Sequence, residues 1–320
     1  MSVFGEIRGR CRTVAEQAQQ VRIDHVRLAA YAGTLPLVET RFQALDPAFH
    51  HLGHGEDTAA FIVTLDTINF GSGWFPHLRK RPGCSGYFTV AGALTDRYRT
   101  RGPLGAAELA SLSAADCTAL FGQDPDNQPV AELMQLFAGA LNDLGRYLLS
   151  DFDGRFAPLI EAAQCSAERL VRLLGRMPFF ADVATWRGEP VPFYKRAQLT
   201  AADLSIAFAG QGWGRFSDLH RLTIFADNLV PHVLRLDGVL AYDPELARRI
   251  DTGELIAGGS PEEIEIRAGA LHAVELLVAE LRRRGHDVTA MGLDYLLWNR
   301  GQQPAYKQAK PRHRTRTVYY

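Results

Sequence analysis

Two stretches set acidic and amide side chains among apolar and aromatic neighbours. One is Leu65-Asp66-Thr67-Ile68-Asn69-Phe70, running on through Gly71-Ser72-Gly73 to Trp74-Phe75-Pro76; the other is Thr223-Ile224-Phe225-Ala226-Asp227-Asn228-Leu229-Val230-Pro231. A carboxylate is costly to bury in such company unless it is paired or functional, so both stretches read as site chemistry. Asp227 falls four residues before Pro231 on an expected helix, and the missing proline N–H predicts that the helix ends or kinks there. A carboxylate at such a break could attack or stabilise an oxocarbenium-like sugar centre, the central need in cleaving a glycosidic bond. The structural alternative is an aspartate that bonds local backbone at a helix end.

Lys195 and Arg196, in Phe193-Tyr194-Lys195-Arg196-Ala197-Gln198, put two cations beside an expected helix start, where free N–H groups already favour an anion such as phosphate. One surface salt bridge and one solvated arginine would explain them equally well. Asp66 and Asn69 offer an acceptor and a donor to the edge of a planar heterocycle, with Phe70, Trp74 and Phe75 available to stack or to fill a core. If residues 61–69 form a strand, Asp66 and Asn69 face opposite ways unless the strand ends near Thr67. The histidines of His50-His51-Leu52-Gly53-His54 have no metal-site spacing; one could line a ligand pocket. Asp294-Tyr295-Leu296-Leu297-Trp298 again mixes an acid with aromatics.

Helices must position these groups. Ser260-Pro261-Glu262-Glu263 carries a cap, a first-turn proline and a capping-box glutamate, followed by an apolar stripe at Ile264, Ala268, Leu271, Val274, Leu277 and Leu281. That stripe stops at Arg282-Arg283-Arg284-Gly285, read as a solvated end that suits the helix dipole. Stripes through Leu133, Phe137, Leu141, Leu144 and Leu148, and through Phe156, Ile160, Ala163, Leu170 and Leu174, predict two more helices. A shorter helix is expected to follow Thr200, and another to begin near Ser217. Strand-like alternation is confined to residues 61–69 and 86–90. The expected class is mostly α with a small β element, as a single unit over 1–320 or two intimately packed subdomains, 1–128 and 129–320.

The chain has 320 residues, 47% hydrophobic and 22% charged, with a formal net charge of -1. That balance gives no global pull toward nucleic acid or membrane. Four scattered cysteines without a CxxC pair fit buried reduced thiols. No signal-peptide pattern and no apolar run near the roughly 20 residues of a membrane span are visible, so a cytoplasmic protein is expected. The basic tail, residues 307–320, ends in Val318-Tyr319-Tyr320 and reads as a frayed terminus or as a strap with an aromatic end.

Together these stretches resemble the queuosine salvage protein family, the queuosine 5'-phosphate N-glycosylases. The likeness runs nearly end to end and is most specific at residues 65–76, 193–198, 223–231, 263–275 and 293–301. The resemblance implies a helical fold related to helix-hairpin-helix DNA glycosylases and hydrolysis of queuosine 5'-monophosphate to queuine and ribose 5-phosphate, without metal or organic cofactor. It also implies that Asp227 is the catalytic carboxylate and Lys195 the phosphate-binding lysine, with Asp66, Asn69 and Phe70 in the stretch that holds the deazaguanine and Asp294 and Trp298 lining the pocket. The implied partner is a small nucleotide, with no stable nucleic acid and no membrane. Two other readings compete: a glycosylase acting on DNA or RNA itself, and a non-catalytic binding protein for a modified nucleobase.

Overall fold

The computed structural model describes residues 2–41 and 44–320, the Arg41 side chain excepted. About 60% of the chain is helix and 5% strand. Two compact units interleave along the sequence: 1–43, 182–195 and 220–316 form the first, and 44–181, 196–219 and 317–320 form the second.

The first unit is built on the Pro261–Arg283 helix, whose N-cap Ser260 accepts from the Glu263 N–H as its sequence requires. The Glu263 carboxylate reaches back to the Gly259 N–H, one residue beyond the capping-box partner. The expected apolar stripe is buried, but Glu263, Glu265 and Arg267 are buried with it, so this helix carries polar groups inside. Val3–Gln17, His25–Ala32 and Ala290–Gln302 belong to the same unit. Two antiparallel strand pairs complete it, Val21–Ile23 with Leu240–Tyr242 and Val183–Trp186 with Glu189–Pro192. In the second pair, Arg187 and Gly188 both take positive φ, 50° and 82°, which closes a two-residue hairpin.

In the second unit, Gln128–Asp151 is the long helix that its apolar stripe predicts. Gly145 lets it approach the Ala106–Ser111 helix closely, since a Cβ there would lie 2.3 Å from the Ala110 nitrogen. The Phe156–Leu174 stripe is split into Phe156–Glu161 and Ala167–Leu174, because Gln164 and Cys165 take left-handed φ of 50° and 56°.

Both expected strands are helices, Glu56–Thr67 and Gly86–Arg101. In the first, every residue from Thr58 to Thr67 is buried, so no polar face interrupts the pattern and its apolar run mimics a strand. The helix expected to follow Thr200 starts at Lys195 and ends at Ala207. Thr200 is no cap; its hydroxyl donates to the Arg196 carbonyl inside that helix. The helix expected near Ser217 is a single tight turn at Leu219–Arg221, and the true helix, Leu229–Leu236, starts after Asp227. Pro231 thus lies in a first helical turn, where a missing N–H costs nothing, and marks a beginning where its sequence position predicts an end.

Candidate functional site

In the first unit the two oxygens of the Asp227 carboxylate differ in what they contact. Its Oδ1 accepts from the N–H groups of Leu229, 2.8 Å, and Val230, 3.1 Å, and so holds the first turn of the 229–236 helix. Its Oδ2 accepts no hydrogen bond among the described residues. The side chain is half-buried between a buried Ala226 and a buried Asn228. The local structural reading therefore holds for one oxygen, whose two backbone bonds fix the rotamer and so set the direction of the other.

The tail lies alongside. Asn228 Nδ2 donates to the His313 carbonyl at 3.1 Å, and Ile256 N–H to the Arg314 carbonyl at 2.9 Å. Partly buried Arg312 is lowered in pKa by desolvation, and the attraction of Asp227 opposes that shift. His313 is buried and pushed down to about 3 by desolvation and by the Arg267 and Arg312 charges. At its far end the chain rejoins the second unit, where the Tyr320 carbonyl accepts from Gly71 N–H at 3.0 Å and Val318 O accepts from Arg196 at 2.8 Å. The tail is a strap with its aromatic end packed, since Tyr320 is buried.

Lys195 is the first residue of its helix and is buried, with 6% of its surface exposed. Its backbone N–H donates to Asp182 Oδ2 at 3.0 Å. Asp182 also takes a two-pronged ion pair from Arg267, 3.0 Å at Nη1 and 2.6 Å at Nη2, and the Arg267 Nε–H donates to the Ala226 carbonyl at 3.0 Å. The guanidinium lies 3.9 Å above the centroid of Phe193. Asp182 and Arg267 were not singled out from the sequence; the signal was an arginine buried within the apolar stripe of its helix.

Asp294 Oδ1 accepts from Phe225 N–H at 2.9 Å, which ties the 290–302 helix to the strand of chain leading into Asp227. Trp298, one turn on, is half-buried.

The second unit holds Asp66, Asn69 and Phe70. Asp66 lies in the last turn of the Glu56–Thr67 helix and Asn69 just beyond it, which removes the opposite-face objection: Asn69 Nδ2 reaches Asp66 Oδ1 at 3.5 Å. Asp66 and Phe70 are buried, and Phe70 stands edge-on to Phe137 with centroids 5.1 Å apart. Trp74 is a core residue whose indole N–H donates to Glu132 at 2.8 Å. Arg196 is neither solvated nor in a surface pair. It is almost fully buried, donates to the carbonyls of Asp66, Thr67, Phe179 and Val318, and lies over the rings of Phe70 and Phe180. Arg196 thereby contacts both ends of the 67–70 segment, the Thr67 carbonyl and the Phe70 ring.

His50 spends both ring nitrogens, on the Asp46 carbonyl at 2.8 Å and the Tyr87 hydroxyl at 2.9 Å. His51 and His54 stack on each other at 4.0 Å. Among the described residues no group of three His, Cys, Asp or Glu side chains could hold a metal ion, and no helix is long and apolar enough to cross a membrane.

Residues 49–320 match the sequence model of the queuosine salvage protein family. A protein of Sphaerobacter thermophilus named queuosine 5'-phosphate N-glycosylase/hydrolase is 39% identical over 315 residues, covering 97% of this chain and 96% of its own length. A mouse protein of the same name is 31% identical, with 97% of each chain covered. One from Dictyostelium discoideum is 34% identical, over 83% of this chain and 79% of its own.

Proposed function

The chain belongs to the queuosine salvage protein family, and from that membership we propose that it hydrolyses the N-glycosidic bond of queuosine 5'-monophosphate. Water adds its oxygen to C1' and a proton to the departing base nitrogen, giving ribose 5-phosphate and queuine. The observation that carries the chemistry is the divided carboxylate of Asp227: one oxygen anchored to two helix N–H groups, the other uncommitted.

Guanine normally departs after protonation at N7, but in a 7-deazaguanine that position is carbon. Catalysis then leans on the sugar side. Asp227 stabilises the cation that develops at C1', by charge or as a nucleophile, and its fixed rotamer avoids reorganisation as the bond breaks. Lys195 binds the 5'-phosphate and so holds C1' in register. Asp66, Asn69 and Phe70 hold the deazaguanine, Phe70 from within the core that stiffens residues 67–70, and Asp294 and Trp298 line the pocket. No metal or organic cofactor enters this scheme.

A free nucleotide suits a net charge of -1 better than a nucleic acid does, because duplex binding draws on a basic stripe that this sequence lacks. Four unpaired cysteines fit a cytoplasmic setting, and the helical architecture fits a relation to helix-hairpin-helix glycosylases. The test is incubation of the protein with queuosine 5'-monophosphate and detection of free queuine by mass spectrometry. Release of queuine is expected; tight binding without release would favour the storage protein, and release only from intact RNA would favour the nucleic-acid glycosylase.

A further inference from the structure

The Asp182–Arg267 ion pair touches the backbone of both chemistry-bearing segments of the first unit. Asp182 Oδ2 receives the Lys195 N–H, and Arg267 Nε–H goes to the carbonyl of Ala226, the residue before Asp227. Both partners are nearly inaccessible, with side chains 2% and 3% exposed. Around them, Asp182 O accepts from the N–H groups of Phe193 and Tyr194, and the Phe193 ring lies under the guanidinium. Glu263, one helical turn before Arg267, lies 3.6 Å from Nη1 of the guanidinium.

A buried ion pair is a weak source of net stability, since desolvation offsets most of the attraction, while hydrophobic residues of similar volume pack as well. What it supplies that they cannot is direction. A guanidinium has its N–H groups in one rigid plane, so two of them on Asp182 fix where the third points. The backbone contacts therefore set the distance from the start of the 195–207 helix to the 226–227 junction. We propose that Asp182 and Arg267 are positioning residues, a clamp that holds the Asp227 carboxylate at a fixed separation from Lys195, and hence from C1' of a nucleotide whose phosphate Lys195 binds. This rests on the roles proposed above for Lys195 and Asp227.

The test is steady-state kinetics on Arg267→Lys and Asp182→Asn, each checked for native circular dichroism, with Phe193→Leu as a milder variant if either fails to fold. Arg267→Lys keeps the charge and loses both the fork on Asp182 and the N–H to the Ala226 carbonyl. A displacement of about 1 Å at the reacting group costs on the order of 10²-fold, so kcat should fall about that much while KM for queuosine 5'-monophosphate stays within about threefold. Asp182→Asn, which weakens the hold on Lys195, should raise KM as well as lower kcat. Phe193→Leu should lower kcat by several-fold with its melting temperature near the parent's. Folded variants with parental kcat and KM and only a lower melting temperature would reduce the pair to a structural one and overturn the proposal. Asp227→Asn in the same assay separates the two levels: if it retains full turnover, the reading of Asp227 fails, whereas loss there with parental Arg267→Lys kinetics overturns the clamp alone.

Discussion

The Arg196 guanidinium lies 4.9 Å from the centroid of the Phe70 ring and 4.7 Å from that of Phe180. It also donates to the Asp66 and Thr67 carbonyls, the last acceptors of the 56–67 helix, where a cation also suits the helix dipole. Arg196→Lys retains one charge but leaves several buried carbonyls unpaired, so a stability loss of about 3 kcal/mol is expected in urea unfolding. A loss below about 1 kcal/mol would contradict this account of how residues 67–70 are held.

For Asp227 the two oxygens predict a clean separation of activity from stability. Asp227→Asn keeps an oxygen for the Leu229 and Val230 N–H groups, so unfolding should shift by less than about 1 kcal/mol. Turnover of queuosine 5'-monophosphate should drop by at least about 10²- to 10³-fold, with binding still measurable by calorimetry. Asp227→Ala should lose the same activity and about 1 kcal/mol of stability besides.

Lys195→Ala is expected to raise KM for the 5'-monophosphate about 10- to 100-fold, the worth of a charge-assisted contact to phosphate. Queuosine without its phosphate should be processed at the parental rate. Equal losses on both substrates would remove the lysine from the phosphate role.

His313 predicts acid sensitivity. Its folded pKa is lowered to about 3 by desolvation and neighbouring positive charge, so the unfolded chain binds the proton more readily. Its contribution is complete above the ordinary histidine value near 6.5 and is lost as pH falls toward 3, at about 1.4 kcal/mol per pH unit. His50 and His232 shift the same way, again mainly through burial. Urea unfolding at pH 8, 6.5 and 5 should show a decline of about 2 kcal/mol from His313 by pH 5, and His313→Gln should flatten that slope.

Much of this protein is written locally. Ser260 with Glu263, the stripes of the 128–151 and 261–283 helices and the mostly helical class follow from periodicity and capping, which depend only on near neighbours. The proposed site residues were picked out locally as well, because Asp66, Asn69, Lys195, Asp227 and Asp294 stand out against apolar surroundings. Decisions about burial were not local. The 56–67 helix looked like a strand because it is buried on all sides, and Pro231 marked a helix start only because the Asp227 carboxylate supplies the first-turn partners. The tertiary fold alone placed Arg196 over the Phe70 ring and joined Asp182 to Arg267, residues 85 apart in sequence. Side-chain pairing over such separations depends on which backbone groups the folded chain leaves without partners, and no pattern of neighbouring residues encodes that.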